Sequence, residues 1–263
     1  MRVVDQSLPL EGQQSFACRR VTPDGEAVFE GFHLQSEHVV RVYVNGVLTM
    51  SLTCSPDHIV ELVVGRLFTE GMISGVAEID EVWLCEHATR VMVYLVNREA
   101  VVENARMRVD EVGTCCTDNR TLSQAFLRDE ELASVKPIPW KAEDIFALAA
   151  IFEADTPMHK KTFGAHSCYL AQGQRVLYCC EDLGRHNALD KVVGCALMDG
   201  VDLTACTLFS SGRVPTDMCV KAIRAGIPLM VSKAVPTNLA VQMAHEHKLT
   251  LVCAAHTDSY VVM

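Results

Sequence analysis

Apolar and polar residues alternate through RVYVNGVLTMSL on either side of Asn45-Gly46, which predicts a β-hairpin. The period then changes. Ile59, Leu62, Val63 and Leu67 recur at helical spacing, and Gly71 supplies a stop. Ser55-Pro56-Asp57 predicts the start of this helix: a Ser N-cap, Pro at the first helical position and an acidic first turn. EVWLCE and RVMVYLV read as further strands. Asp110 to Arg120 (DEVGTCCTDNR) breaks the pattern and reads as a loop, and TLSQAFLRDEELASV after it reads as helical. KPIPW, with two prolines, reads as a linker. Beyond it helix and strand patterns alternate. KAEDIFALAAIFEA is helical, HSCYLA-QGQ-RVLYCC is a hairpin, and HNALDKVVGCALMDG is helical. TACTLFS, IPLMVS and LTLVCAA are buried strands separated by the helices PTDMCVKAIRAG and PTNLAVQMAHEH. This alternation predicts an α/β fold with a mainly parallel sheet covered by helices. The organisation expected is a β-rich subdomain over 1–110, a loop and helix over 111–137, and an α/β domain over 138–263.

The 263 residues carry a net charge of −10, so no basic surplus exists to neutralise a phosphate backbone, and nucleic acid is excluded as the default partner. The richest apolar stretch, Ile59 to Phe68, contains Glu61 and Arg66, so no membrane span is expected. MRVVDQSLPLEGQQSF has no basic flank followed by an apolar run, and a cytoplasmic location is expected. In that reducing location no disulfide framework is expected, and because none of the 12 cysteines forms a CxxC pair no zinc site is predicted. Most read as small buried hydrophobes. Cys115 and Cys116 differ, because they sit in the polar loop, where a thiolate can act as nucleophile or sulfur acceptor.

Three other groupings could carry chemistry. Glu181-Asp182-Leu183-Gly184-Arg185-His186-Asn187, with Asp190-Lys191 one turn later, lies between a strand and a helix. Free N–H groups and the helix dipole there favour an anion. Ser210-Ser211-Gly212-Arg213 occupies a second such junction, although neither a Walker motif nor GxGxxG is present. Thr162-Phe163-Gly164-Ala165-His166 precedes a strand, and His166 is a candidate hydrogen-bond donor or general acid.

In this order EDLGRHNALDKVVG, SSGR, KAIRAGIPLMVSKAVPTNLAVQMA and LTLV resemble the FdhD/NarQ family of formate dehydrogenase accessory sulfurtransferases. VNG and SPDHIVELVVGRLFTEGMI agree more loosely. The resemblance implies a cytidine deaminase-like α/β/α sandwich, dimeric, without the HxE and PCxxC zinc signature and hence without a protein-bound metal. It further implies that sulfur passes from a cysteine desulfurase, as a persulfide on a loop cysteine, to the molybdenum cofactor bis(molybdopterin guanine dinucleotide), which serves formate dehydrogenase. The carriers would be Cys115 or Cys116. The cofactor-binding residues would be His166, Arg185, His186, Asn187, Lys191, Ser211, Gly212, Arg213 and the segment Cys253, Ala254, Ala255, His256, Thr257 and Asp258. The sequence departs from the family in three places: GTCCT replaces Cys-Gly-x-Cys-Gly, TFGAH replaces Thr-Gly-Gly-x-His, and residues 253–258 carry fewer cations. A cofactor-holding chaperone without sulfur chemistry and a nucleotide-acting hydrolase are the rival readings.

Overall fold

The computed structural model describes residues 1–99, 132–154 and 156–263. The predicted 110–120 loop, and all but the last residues of the helix predicted after it, lie outside them.

The N-terminal half contributes β1 (Arg2–Asp5), β2 (Gln13–Thr22), β3 (Gly25–Gln35), β4 (His38–Val44), β5 (Val47–Cys54), β6 (Ile79–Leu84) and β7 (Arg90–Leu95). Five of these form a sheet in the order β1-β6-β7-β4-β5, and β2 and β3 make a separate ribbon. Helix α1 (Ile59–Thr69) covers the sheet, packing Leu62, Val63 and Leu67 on Val40, Val42, Val82 and Val93. The expected Ser55 N-cap is corrected. The helix starts at Ile59, after His58 in the left-handed conformation (φ 50°). Ser55 is spent elsewhere: its N–H donates to Asp182 Oδ2 at 2.9 Å and its Oγ accepts from Leu183 N at 3.2 Å.

The C-terminal half adds α2 (Ala142–Ala154), α3 (Pro157–Thr162), β8 (His166–Gln172), β9 (Arg175–Asp182), α4 (Arg185–Met198) and β10 (Thr207–Ser210). It continues with α5 (Thr216–Arg224), β11 (Leu229–Ser232), α6 (Asn238–Glu246), β12 (Thr250–Cys253) and β13 (Val261–Val262). The sheet order is β13-β12-β11-β10-β8-β9. Alternate residues face opposite layers, as the strand period requires. Leu170, Leu208, Met230 and Leu251 pack on the side of α4, α5 and α6. Tyr169, Phe209, Val231 and Val252 pack on α2. The α/β/α sandwich expected from the sequence is therefore present. Its sheet is mixed rather than mainly parallel: β10, β11 and β12 are parallel, but β8, β9 and β13 pair antiparallel. A β8–β9 hairpin with a tight turn at Gly173 can only bring its strands in antiparallel.

The two halves are joined by a backbone-to-backbone helix crossing. A Cβ on Gly65 of α1 would lie 1.8 Å from Asp190 O, and one on Gly194 of α4 would lie 1.9 Å from Glu61 O. Only glycine permits this approach. Beside it sits a buried charge network: Lys221 Nζ lies 2.9 Å from Asp190 Oδ1 and 3.3 Å from Glu70 Oε1. Arg66 lies 3.2 Å from Glu70, and Thr69 Oγ1 donates to Asp190 Oδ1 at 2.7 Å. Two cations face two carboxylates, which is the condition for burying them together.

Six of the ten described cysteines are buried, and Cys18, Cys85, Cys179 and Cys195 are half-buried. The vicinal pair at the end of β9 splits, with Cys179 packing toward α2 and Cys180 toward α4. Among the described residues no helix is long and apolar enough to cross a membrane.

Candidate functional site

Strand direction decides which residues can meet. The carboxyl ends of β10 and β11 are level, with Ser210 opposite Ser232, and β12 ends beside them. Because β8 is antiparallel to β10, its first residue, His166, lies at this same edge, and it pairs with Asp182 at the end of β9. Five chain segments thus converge: 163–167, 181–187, 210–213, 232–235 and 253–256. Backbone bonds tie them laterally. Ser211 N donates to Ser167 O, Lys233 N to Ser210 O and Ala254 N to Ala234 O, each at 3.0–3.1 Å. The end of an open α/β sheet where strand ends diverge is where such folds bind ligands.

The two predicted junctions touch. A Cβ on Gly212 would fall 2.7 Å from Arg185 Cδ and 2.9 Å from Arg185 Cβ, so Gly212 provides the cradle for the Arg185 side chain. Arg185 Nε is buried and has no protein partner. Ser211 Oγ accepts from Ser167 N at 3.0 Å and lies 3.2 Å from His166 Nδ1. Burial, reinforced by the charge of Arg185, holds the His166 imidazole below its ordinary pKa of 6.5. His166 therefore stays neutral at pH 7 and gains a proton readily only when an anion arrives. Arg213 is exposed.

A cleft of about 500 Å³ opens next to these groups. His159, Lys160, His166, Ser211 and Lys233 line it, and Phe163 stands on its rim. The His159 ring donates through Nδ1 to Ala165 O at 2.7 Å, which leaves Nε2 toward solvent or ligand. Lys233 is 3.0 Å from Glu153, and His256 approaches the same carboxylate at 3.8 Å. Phe163 adopts φ 55° and is 80% exposed. Both are unfavourable for a large aromatic residue. Glu181 is occupied in placing the wall: its carboxylate accepts from Met158 N at 2.7 Å, His159 N at 3.0 Å and Ser167 Oγ at 2.9 Å.

Other predicted residues stand behind the cleft. Lys191 is fully buried, 2.8 Å from Asp182 Oδ2 and 2.7 Å from Asp57 Oδ1. Asn187 Nδ2 donates to Asp182 Oδ1 and to Thr53 O, each at 2.8 Å. Both stitch the N-terminal sheet to the junction, and the Lys191 ammonium and Asn187 Nδ2 are committed there. His186 is buried with Nε2 2.9 Å from Asp217 Oδ2, and burial keeps it below the ordinary imidazole value despite that carboxylate. It orients the start of α5 below Arg213. In the 253–258 segment Cys253 and Ala255 are core residues, Ala254 is left-handed (φ 48°), and His256, Thr257 and Asp258 are exposed. This segment borders the cleft through the shared Glu153. Cys115 and Cys116 lie outside the described residues.

Sequence reasoning missed His159, Lys160 and Lys233, and it gave Phe163 no role of its own within the 162–166 grouping. Lys233 follows a buried strand, as SSGR does, so the same strand-end argument would have found it. His159 and Lys160 follow Pro157, a helix-start signal that goes unread in so short an element.

A formate dehydrogenase accessory protein from Desulfotalea psychrophila superposes with a TM-score of 0.75 over 97% of both chains, at 24% identity, and so shares the fold. The sulfur carrier protein FdhD of Listeria innocua is 33% identical over 223 residues, covering 82% of this chain and 84% of that protein. That of Bacillus subtilis is 33% identical over 230 residues, 86% of each. The family model for FdhD/NarQ matches residues 35–263, and this chain belongs to the FdhD/NarQ family.

Proposed function

We propose that the chain is a sulfur carrier serving formate dehydrogenase. It takes persulfide sulfur from a cysteine desulfurase and hands it to the molybdenum cofactor, bis(molybdopterin guanine dinucleotide), held in the cleft. The observation that carries this reading is the meeting of the 184–187 and 210–213 junctions around an Arg185 Nε that is buried and unpartnered beside a cationic cleft. An anionic dinucleotide is the class of ligand that answers such a set. Arg185, Arg213, Lys233 and His159 would take its phosphates, with Ser211 and His166 as hydrogen-bond partners. The exposed ring of Phe163 would lie against a guanine or pterin face. Lys191 and Asn187 position the junction from behind.

The sulfur chemistry belongs to Cys115 or Cys116. A loop thiolate attacks the outer sulfur of the desulfurase persulfide, a new S–S bond forms, and the desulfurase cysteine leaves as its thiolate. The loop persulfide would then deliver its outer sulfur to the cofactor in the cleft, with the loop cysteine leaving as its thiolate and the reduced cofactor supplying the two electrons that convert sulfane sulfur to sulfide. On this reading the protein works in the cytoplasm, as a homodimer, with the desulfurase and apo-formate dehydrogenase as partners. One observation favours a second reading. No described residue lining the cleft is a cysteine, so the cleft alone would make a cofactor-holding chaperone. Complementation separates the two. In a deletion strain, Cys115→Ala/Cys116→Ala should abolish formate dehydrogenase activity, and full activity of that variant would leave only the chaperone.

A further inference from the structure

Toward the C-terminal end of α4, three soft donors meet that lie far apart in sequence. They are His58, just before α1; Cys180, buried near the end of β9; and Cys195, half-buried on α4. One ligand atom from each lies within 4.8 Å of both others. We propose that His58, Cys180 and Cys195 bind a zinc-class divalent cation that clamps the N-terminal helix to the C-terminal sandwich.

The donor set selects the metal. Two sulfurs and an imidazole suit Zn²⁺ and not Mg²⁺ or Ca²⁺, which demand oxygen. Tetrahedral zinc with Zn–S near 2.3 Å and Zn–N near 2.0 Å separates its ligand atoms by roughly 3.4–3.8 Å. The present spacing therefore closes on a metal with side-chain movements of about 1 Å. A positioning shell is already in place. Asp57 Oδ2 is 3.1 Å from His58 Nδ1, and Asp57 Oδ1 is anchored 2.7 Å from Lys191 Nζ. A carboxylate on one imidazole nitrogen fixes the ring and leaves the other nitrogen, Nε2, to coordinate. The left-handed backbone at His58 sets the ring outside the helix instead of within its first turn. Access is open, because His58 borders a groove of about 410 Å³ that also includes Asp5, Ser7, Glu61 and Met198. The fourth position is left to water or to Glu61, three residues along on the same groove. Charge balances: two thiols lose their protons to solvent on binding, and two thiolates offset the dication. Sequence could not announce this site, because no two of its ligands share a motif.

The site is independent of the sulfur-carrier reading, and its test keeps the two apart. Full-length untagged protein, purified reduced, is titrated with Zn²⁺ against a chromophoric chelator, and with Co²⁺ to read thiolate charge-transfer absorption. The expected result is one equivalent bound, with tetrahedral cobalt bands. Affinity should fall at least about tenfold in Cys195→Ser and in His58→Ala, and about 10- to 100-fold in Asp57→Asn. Cys115→Ala/Cys116→Ala should bind as the unaltered chain does. Cys195→Ser replaces one atom at a half-buried position, so its fold can be verified by circular dichroism before titration. Binding unchanged in Cys195→Ser, binding lost instead in Cys115→Ala/Cys116→Ala, or no binding at all would overturn the proposal. So would a Cys180–Cys195 disulfide found by non-reducing peptide mapping of the reduced preparation.

Discussion

Gly212→Ala tests the cleft through a contact that does not touch ligand directly. The new methyl would sit 2.7 Å from Arg185 Cδ, 2.9 Å from its Cβ and 3.3 Å from its Cγ, where carbon atoms settle at about 3.5–4.0 Å. Arg185 Cβ is fixed by α4, so the guanidinium must swing away. Overpacking of this kind costs about 1–3 kcal/mol of stability. Removing one charge-assisted hydrogen bond to phosphate costs about 1.5–3 kcal/mol, or about 10- to 150-fold in Kd. The assay is calorimetric titration with GDP, which carries the guanosine and two phosphates of the dinucleotide, alongside urea unfolding. A double-mutant cycle sharpens it. Arg185→Ala/Gly212→Ala should recover most of the lost stability, since the methyl then has room, while GDP affinity stays low. If Gly212→Ala binds GDP within twofold of the unaltered protein, Arg185 is not a phosphate ligand and the site has been misplaced.

Three further outcomes are expected. Asp190→Ala strands Lys221 and Arg66 as buried cations facing a single remaining carboxylate, and should cost about 3–5 kcal/mol in urea unfolding; a loss below 1 kcal/mol would mean the network is hydrated. Phe163→Gly should raise stability by about 1 kcal/mol by relieving the left-handed backbone, while weakening GDP binding. If both quantities fall together, the ring has a packing role instead. His166 and His186 both titrate below 6.5 in the folded chain, so the unfolded chain binds more protons below that pH. These two rings make stability decline as pH falls below about 6.5, against the opposite contribution of His58, whose pKa is raised by its hydrogen bond to Asp57; His166→Asn should make the decline shallower, and an unchanged slope in that variant would show that the His166 pKa is not depressed in the fold.

The strand-to-helix junctions were legible because a buried apolar strand, a Gly and a polar cluster make a local signal. That signal singled out Arg185, Ser211 and Gly212, while His166 came from a separate polar grouping before a strand. It did not separate ligand-facing from inward-facing residues on the first two turns of α4. Lys191 and Asn187 read as equals of Arg185, yet Asp182 and Asp57 claim the lysine, and Asp182 and Thr53 claim the asparagine. Ser55 misled for the same reason: its N–H and hydroxyl meet Asp182 and Leu183 instead of capping α1. Pairings across more than a hundred residues leave no periodic trace. Neither does the Gly65–Gly194 crossing, where the residues that matter have no side chains.

On the proposed function, Cys115 or Cys116 carries the sulfur. Full-length protein incubated with a cysteine desulfurase and cysteine, then digested without reductant and analysed by mass spectrometry, tests it most directly. One added sulfur is expected on the peptide containing Cys115 and Cys116, removable by dithiothreitol. An unmodified loop peptide, or sulfur found only on other cysteines, would contradict it.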